Sequence, residues 1–380
     1  MTGSGPLRVL HVTAVETSNY YLNNLARCTP KGEVRLLAVT LGRRGSFVTD
    51  LEALDVPTWA LGAVRRWSYP RAVLRLWRLV RRESVDILHL HLFDPTVLGL
   101  LVAGLSGRPA VVTRHHSDAV QRLPHGLKKS VYSALERWIN RKARHLIAPS
   151  QRVRDELVGV EGVPARKVSL IPYGQMAGRF EAIRQEDPAR ARREFGDASP
   201  LLVCVCRLHP EKGHRYLFEA FAGLRRAFPG ALLGLVGTGP HGDTLASLAR
   251  QLGIDGAVRF LGWRDDVLPL MWCADLVVHP SLHEALPSAV IEAVMLGRPV
   301  VATDVSGVRD VLGDSGEYGF IVPAADSAAL ERAMAGALSD LAAARARAER
   351  GRVHLTRYMD AGRVAREYVA CYQAVAGVPV

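Results

Sequence analysis

The chain has 380 residues, more than one hydrophobic core ordinarily organises, so two domains are expected. Its 48% hydrophobic and 23% charged residues are those of a globular, water-soluble protein and argue against a disordered or fibrous chain. The net charge of +12 sits in the first half: residues 1–175 hold 26 Lys and Arg against 13 Asp and Glu, and the remainder holds 23 against 24.

No nucleic-acid-binding motif accompanies the basic half, which leaves an anionic membrane surface or an anionic acceptor as its expected partner. The amino terminus, MTGSGPLRVLHV, lacks a basic start followed by a long apolar run, so no secretory signal is expected and the protein is read as cytoplasmic. Five scattered cysteines give no disulfide framework. Cys204 and Cys206 alternate on an apolar strand and read as small core residues.

Short apolar runs at residues 7–12, 34–38, 87–90, 110–113 and 145–148 read as strands, each followed by an amphipathic or loop segment. In the first of these loops, Ser18 or Asn19 can cap a helix. Ser68-Tyr69-Pro70 opens a helix expected to carry Val73, Leu76, Trp77 and Val80 on one face and Arg71, Arg75, Arg78 and Arg82 on the other. That pattern fits a core-facing helix with a solvated basic side, or an interfacial helix on an anionic membrane. The most apolar window, 87–105, holds His89, His91 and Asp94, which argues against a membrane span. His89 and His91 share one side of a strand and could both face a metal, although packed histidines are the simpler reading.

Residues 174–200 are polar and charged, a connector with a surface helix. The strand rhythm then resumes at 201–206, 231–236, 258–261, 275–279 and 299–303, and a last helix near 361–376 carries Val364, Tyr368 and Tyr372 at helical spacing. Two α/β, doubly wound domains with ligands at the carboxyl ends of their strands follow from this alternation.

Three loops of the second half have the residues for chemistry. Arg207-Leu208-His209-Pro210-Glu211-Lys212-Gly213 puts a forked and a mobile cation at a helix start, a combination suited to a diphosphate. Gly237 and Gly239 form a tight turn after a strand. In HPSLHEALPSAVIEAVMLGRPVVATD, Glu284 sits in a loop and Glu292 in the following helix, with Pro287 expected in the first helical turn. A helix start flanked by carboxylates can seat a phosphate and accept hydrogen bonds from hydroxyl pairs. No Asp-x-Asp pair occurs in the chain, so no metal is expected to hold the diphosphate.

These motifs, in this order, resemble the retaining family 4 glycosyltransferases of the GT-B fold. Glu284 and Glu292 match the family's Glu-x7-Glu element, 297–304 its following strand, and 206–213 its Gly-Arg-Leu-x-x-x-Lys-Gly, with Cys206 in place of the first glycine. Residues 86–91, 113–115, 148–150 and 171–174 extend the likeness across nearly the whole chain. The departures are Ala285-Leu286-Pro287 where many members have Gly-Phe-Gly, Ser306-Gly307 where two glycines are usual, and a first loop lacking Gly-Gly.

The resemblance implies two Rossmann-like domains facing across a cleft: an acceptor-side domain at 1–175 completed by a terminal helix at 360–380, and a nucleotide-sugar domain at 176–359. It makes Arg207 and Lys212 the diphosphate clamp. Glu284, Ala285, Leu286, Ser288 and Glu292 would lie about the donor sugar and nucleotide, with Gly237, Gly239 and the loop of Trp263 bordering the nucleotide. Trp263 then flanks the base or packs as a loop aromatic. Thr113-Arg114-His115 matches Thr-x-His, placing His115 beside the transferred sugar, where it could orient a hydroxyl or shuttle a proton near neutral pH; His116 could take that role instead. Glu16 and Asn19 become acceptor-side candidates. The expected activity is retaining, metal-independent, cofactor-free hexosyl transfer from a UDP-sugar, with GDP-sugar the second choice. The acceptor is a lipid-linked glycan or soluble molecule of bacterial envelope or natural-product synthesis, reached from the cytoplasm with peripheral contact to an anionic membrane. The alternatives are a nucleotide-sugar epimerase on the same fold and a non-catalytic sugar-nucleotide binding protein.

Overall fold

A computed structural model of the chain describes residues 5–115, 126–196 and 198–378. The chain divides into two compact units, Met1–Gln175 with Met359–Val380, and Met176–Tyr358.

In the first unit the strands are β1 (Leu7–Thr13), β2 (Val34–Thr40), β3 (Thr58–Ala60), β4 (Ile87–His91), β5 (Ala110–Thr113), β6 (His145–Ala148) and β7 (Val168–Leu170). They form one parallel sheet in the order β3-β2-β1-β4-β5-β6-β7. The central strands are buried on both faces, as ILHLH in β4 shows by burying all five residues, its two histidines included. Asn19 caps the helix Tyr20–Cys28, accepting from Leu22 N at 3.2 Å. The last helix, Ala361–Ala376, belongs to this unit and buries Val364, Tyr368 and Tyr372 in its core with Leu22, Phe47 and Ile87.

In the second unit β8 (Leu201–Val205), β9 (Leu232–Val236), β10 (Val258–Gly262), β11 (Leu276–His279), β12 (Val300–Thr303) and β13 (Phe320–Val322) form a parallel sheet ordered β10-β9-β8-β11-β12-β13. The chain order reverses between β8 and β11, and the loops that leave their carboxyl ends are the ones the motifs occupy.

Three short strands escaped the sequence pattern. β3, β7 and β13 are three residues each and lie at sheet edges, where so few residues give alternation too little length to read. The basic helix, Tyr69–Arg82, buries Ala72, Leu76, Leu79 and Val80; Val73 and Trp77, expected on that face, are only half-buried. Pro287 stands just before the helix Ser288–Met295 rather than in its first turn. The connector holds two short helices, Ala177–Arg184 and Pro188–Arg192, where one was expected.

Candidate functional site

The loops after β8, β9 and β11 are stitched together by backbone contacts that only glycine permits. Leu208 N donates to Thr238 O at 3.0 Å, and His241 N donates to Leu208 O at 3.1 Å. A Cβ on Gly237 would fall 2.2 Å from Cys206 O, and one on Gly239 would fall 2.3 Å from Leu208 O. Gly213, at φ +66°, approaches Pro280 so closely that a Cβ would meet its carbonyl oxygen at 2.0 Å. Leu282 N donates to Glu211 O at 2.8 Å and fixes the same approach.

Lys212 and Glu284 are thereby brought into contact. The Lys212 ammonium donates to Glu284 Oε1 at 2.6 Å, and His279 Nε2 lies 3.1 Å from the same oxygen. The side chains of Lys212 and Glu284 are only 12% and 15% exposed. Burial alone would raise the Glu284 carboxyl, but the hydrogen bond and charge of His279 and the charge of Lys212 outweigh it and hold it at about 2. Glu284 is therefore a carboxylate at any working pH. His279 was not foreseen; its only signal is that it ends a strand at the switch point.

Arg207 does not join this pair. Its side chain is 71% exposed and donates to Glu211 Oε1 at 2.9 Å. Glu292 lies on the helix after Glu284, 3.7 Å from Arg179, and burial raises its carboxyl against the pull of that guanidinium. Ala285 and Leu286 bury their side chains, and Ser288 is exposed at the first residue of the helix. Trp263 is 68% exposed, which removes the packed-aromatic reading. Ser306 Oγ donates to Ala285 O at 3.2 Å, and Gly307, at φ +79°, leaves room for Leu286.

In the first unit His115 follows β5 and is half-buried, with both ring nitrogens engaged: Nε2 lies 3.1 Å from His91 Nδ1, and Nδ1 lies 2.8 Å from Tyr173 Oη. Burial lowers its pKa to about 4, so His115 is held neutral near neutral pH. Arg114 is buried, donating to Glu136 and Glu161 at 2.9 Å each. Glu16 Oε1 accepts from Arg43 N at 2.8 Å and Asn19 caps its helix, so both acceptor-side candidates already serve local structure. His116 lies outside the described residues.

Two groups among the described residues have three ligand atoms within 4.8 Å of one another: His11, His89 and His91, and Cys204, Cys206 and His214. Cys206, expected as a core residue, is half-buried with its Sγ 3.2 Å from His214 Nε2 and 3.6 Å from Cys204 Sγ.

Comparison with known proteins shows what this arrangement is like. Residues 199–340 match the family model described as glycosyl transferases group 1, and 17–174 match a glycosyl transferase 4-like domain. Glycogen synthase of Mycobacterium tuberculosis is 31% identical over 327 residues, 84% of this chain and 76% of that protein. The UDP-Gal:alpha-D-GlcNAc-diphosphoundecaprenol alpha-1,3-galactosyltransferase of Escherichia coli is 26% identical over 280 residues, 72% of each. HepE of Anabaena, crystallised with UDP and glucose, superposes with a TM-score of 0.82 at 21% identity, covering 97% of this chain and 99% of its own.

Proposed function

The chain belongs to the family 4, group 1 glycosyltransferases of the GT-B fold, and from that premise we propose that it moves a hexose from a UDP-sugar with retention and without a metal. The nucleotide-sugar donor is common ground in the family. The observation that carries the finer reading is the contact of Lys212 with Glu284, which joins the motif that suits a diphosphate to the motif that suits a sugar.

Lys212 has three donors and spends one on Glu284, so the others can hold phosphate oxygens. As the bond from the anomeric carbon to the diphosphate oxygen breaks, negative charge grows on the leaving group, and Lys212 stabilises it. Arg207, on a flexible exposed stem, adds a second cation. Glu284, held as a carboxylate, accepts from sugar hydroxyls and cannot act as an acid. The acceptor oxygen bonds to the anomeric carbon on the face the diphosphate leaves, and its proton passes to a diphosphate oxygen. This supports retention without a carboxylate nucleophile. His115 is assigned to the sugar end on the family likeness.

UDP is favoured by the names of the Escherichia coli relative and of HepE. The first of these acts on a lipid-linked acceptor, which suits the basic first unit here. Trp67, 69% exposed, and Leu74 lie among Arg65, Arg66, Arg71 and Arg75 and support peripheral contact with an anionic membrane. No helix among the described residues is long and apolar enough to cross a membrane.

The test is UDP release in excess EDTA with and without an acceptor extract, followed by the anomeric proton coupling of the product. An α-linked product from an α-linked donor, formed with EDTA present, supports the proposal. UDP release with no glycosylated product, as from an epimerase, or strict metal dependence, contradicts it.

A further inference from the structure

We propose that His11, His89, His91 and Tyr372 are positioning residues, forming a hydrogen-bonded relay that fixes His115 as its neutral Nε2–H tautomer. The inference rests on reading His115 as the residue beside the transferred sugar.

Seven groups are joined end to end. Thr113 Oγ1 lies 2.7 Å from His89 Nε2, and His89 Nδ1 lies 2.7 Å from Tyr372 Oη. Tyr372 Oη is 3.3 Å from His11 Nε2, and His11 Nδ1 is 2.9 Å from His91 Nε2. His91 Nδ1 then meets His115 Nε2, and His115 Nδ1 meets Tyr173 Oη, at 3.1 and 2.8 Å. The register explains the arrangement. His11 is paired with His89 across β1 and β4, both meet Tyr372 of the terminal helix, and His91 lies two residues beyond His89 on the same face.

Burial keeps these rings uncharged, lowering His11 to about 3 and His89 and His91 well below the ordinary imidazole range. A neutral imidazole has one N–H and one lone pair, so each ring must receive a hydrogen bond on one side and give one on the other. The direction of one link then fixes all six. A reversal within the chain would face two N–H groups, or two lone pairs, against each other in a buried site.

Tyr372 Oη donates to one of its two ring neighbours and accepts from the other, so that its own hydrogen is satisfied. Two proton arrangements then remain, and the distances at the tyrosines favour one of them. O–H donors sit closer to their acceptors than N–H donors do. The short links at both tyrosines, 2.7 Å to His89 Nδ1 and 2.8 Å to His115 Nδ1, are those of phenols donating. The 2.7 Å link of Thr113 Oγ1 to His89 Nε2, at the end of the chain, points the other way by the same rule and is outweighed by the three links at the tyrosines. The long link, 3.3 Å from His11 Nε2, is that of an imidazole N–H giving to a phenol oxygen. In this arrangement every ring nitrogen Nε2 bears the proton, His115 included. The same pairing occupies the nitrogens that a metal on His11, His89 and His91 would need.

The experiment is a long-range proton–nitrogen correlation spectrum of the full chain labelled with 15N-histidine, at neutral pH, for the parent and Tyr372→Phe. The phenylalanine keeps the ring and removes the hydroxyl between His89 and His11. The expected result is a pure Nε2–H signature for His115 in the parent and a mixture of tautomers in the variant. Turnover should fall about tenfold while KM for the donor stays within about twofold, since the tautomer and not the site's shape has changed. His115 as Nδ1–H in the parent, an unchanged signature in Tyr372→Phe, or stoichiometric bound metal overturns the relay. A mixed tautomer with unchanged turnover keeps the relay but overturns the assignment of His115 to the sugar. Should Tyr372→Phe fold poorly, His11→Gln breaks the same link with the hydroxyl in place.

Discussion

Lys212 and Glu284, 72 residues apart in sequence, share a hydrogen bond of 2.6 Å between the loops that leave β8 and β11. Those strands flank the point where the sheet reverses its chain order, so the fold delivers the cation and the carboxylate to one place. The pair is mostly buried, and His279 and Lys212 together hold Glu284 charged.

Glu284→Gln should keep the shape of the loop and lose the charge. We expect turnover to fall by about two orders of magnitude, with UDP binding changed only a few-fold. Because Glu284 is held at about 2, the parent's rate should show no acid limb from this group between pH 5 and 8. Steady-state kinetics with calorimetric UDP titration would check both. Parent-like turnover in the variant would remove Glu284 from the site.

Gly213→Ala should damage the same joint from the backbone side. Its Cβ would lie 2.0 Å from Pro280 O at a φ of +66°, so either the loop after β8 or that after β11 must move. A loss of about 1–3 kcal/mol in stability is expected, with weaker UDP binding. Chemical unfolding and titration measure the two. Gly104→Ala, which meets nothing within 4 Å, is the matched control.

Acid should loosen the first unit. His11, His89, His91 and His115 are held neutral in the fold, His11 lowered to about 3, His115 to about 4 and His89 and His91 well below the ordinary imidazole range, whereas the unfolded chain takes up their protons near 6.5. Their contribution is present above pH 6.5 and is lost as pH falls from there toward 4, at up to about 1.4 kcal/mol per pH unit for each histidine. Glu136, raised to about 7 by burial against the pull of Arg114, and Glu367, also raised by burial, act in the opposite sense. His145, also lowered by burial, adds to the histidines, so among the described residues of this unit five histidines against two carboxylates leave a net loss. Urea unfolding at pH 7.0 and 5.5 should show a lower midpoint at the lower pH; an equal or higher one would contradict the neutral relay.

Membrane contact should depend on charge. The parent should sediment with vesicles containing anionic lipid at low salt and leave them as salt screens exposed charges beyond about 10 Å. Replacing Arg71, Arg75, Arg78 and Arg82 by Gln should abolish sedimentation and spare UDP binding. The apolar face of their helix is spent on packing through Ala72, Leu76, Leu79 and Val80, so the arginines and Trp67 must carry the attachment. Indifference of the parent to anionic vesicles would end this reading.

Much of the fold is legible in the sequence because its central strands are continuous apolar runs between amphipathic helices. LLVCV and LVVH are readable from composition alone. The edge strands are not, and the buried face of Tyr69–Arg82 is set by neighbours that helical spacing cannot reveal. Resemblance picked out Lys212 and Glu284, but neither spacing nor resemblance foresaw their contact or the part of His279 in it. The relay was hidden for the same reason: Tyr372 and His11 are 361 residues apart, and only the return of the last helix to the first unit brings them together.

The most direct test of the central claim is calorimetric titration of UDP, in excess EDTA, into the parent and into Lys212→Met, which keeps the length of the side chain and removes its charge. UDP should bind the parent without metal and bind Lys212→Met at least tenfold more weakly, a difference of about 1.4 kcal/mol. Binding by the parent that requires a divalent cation, or equal affinity in the two proteins, would contradict the account.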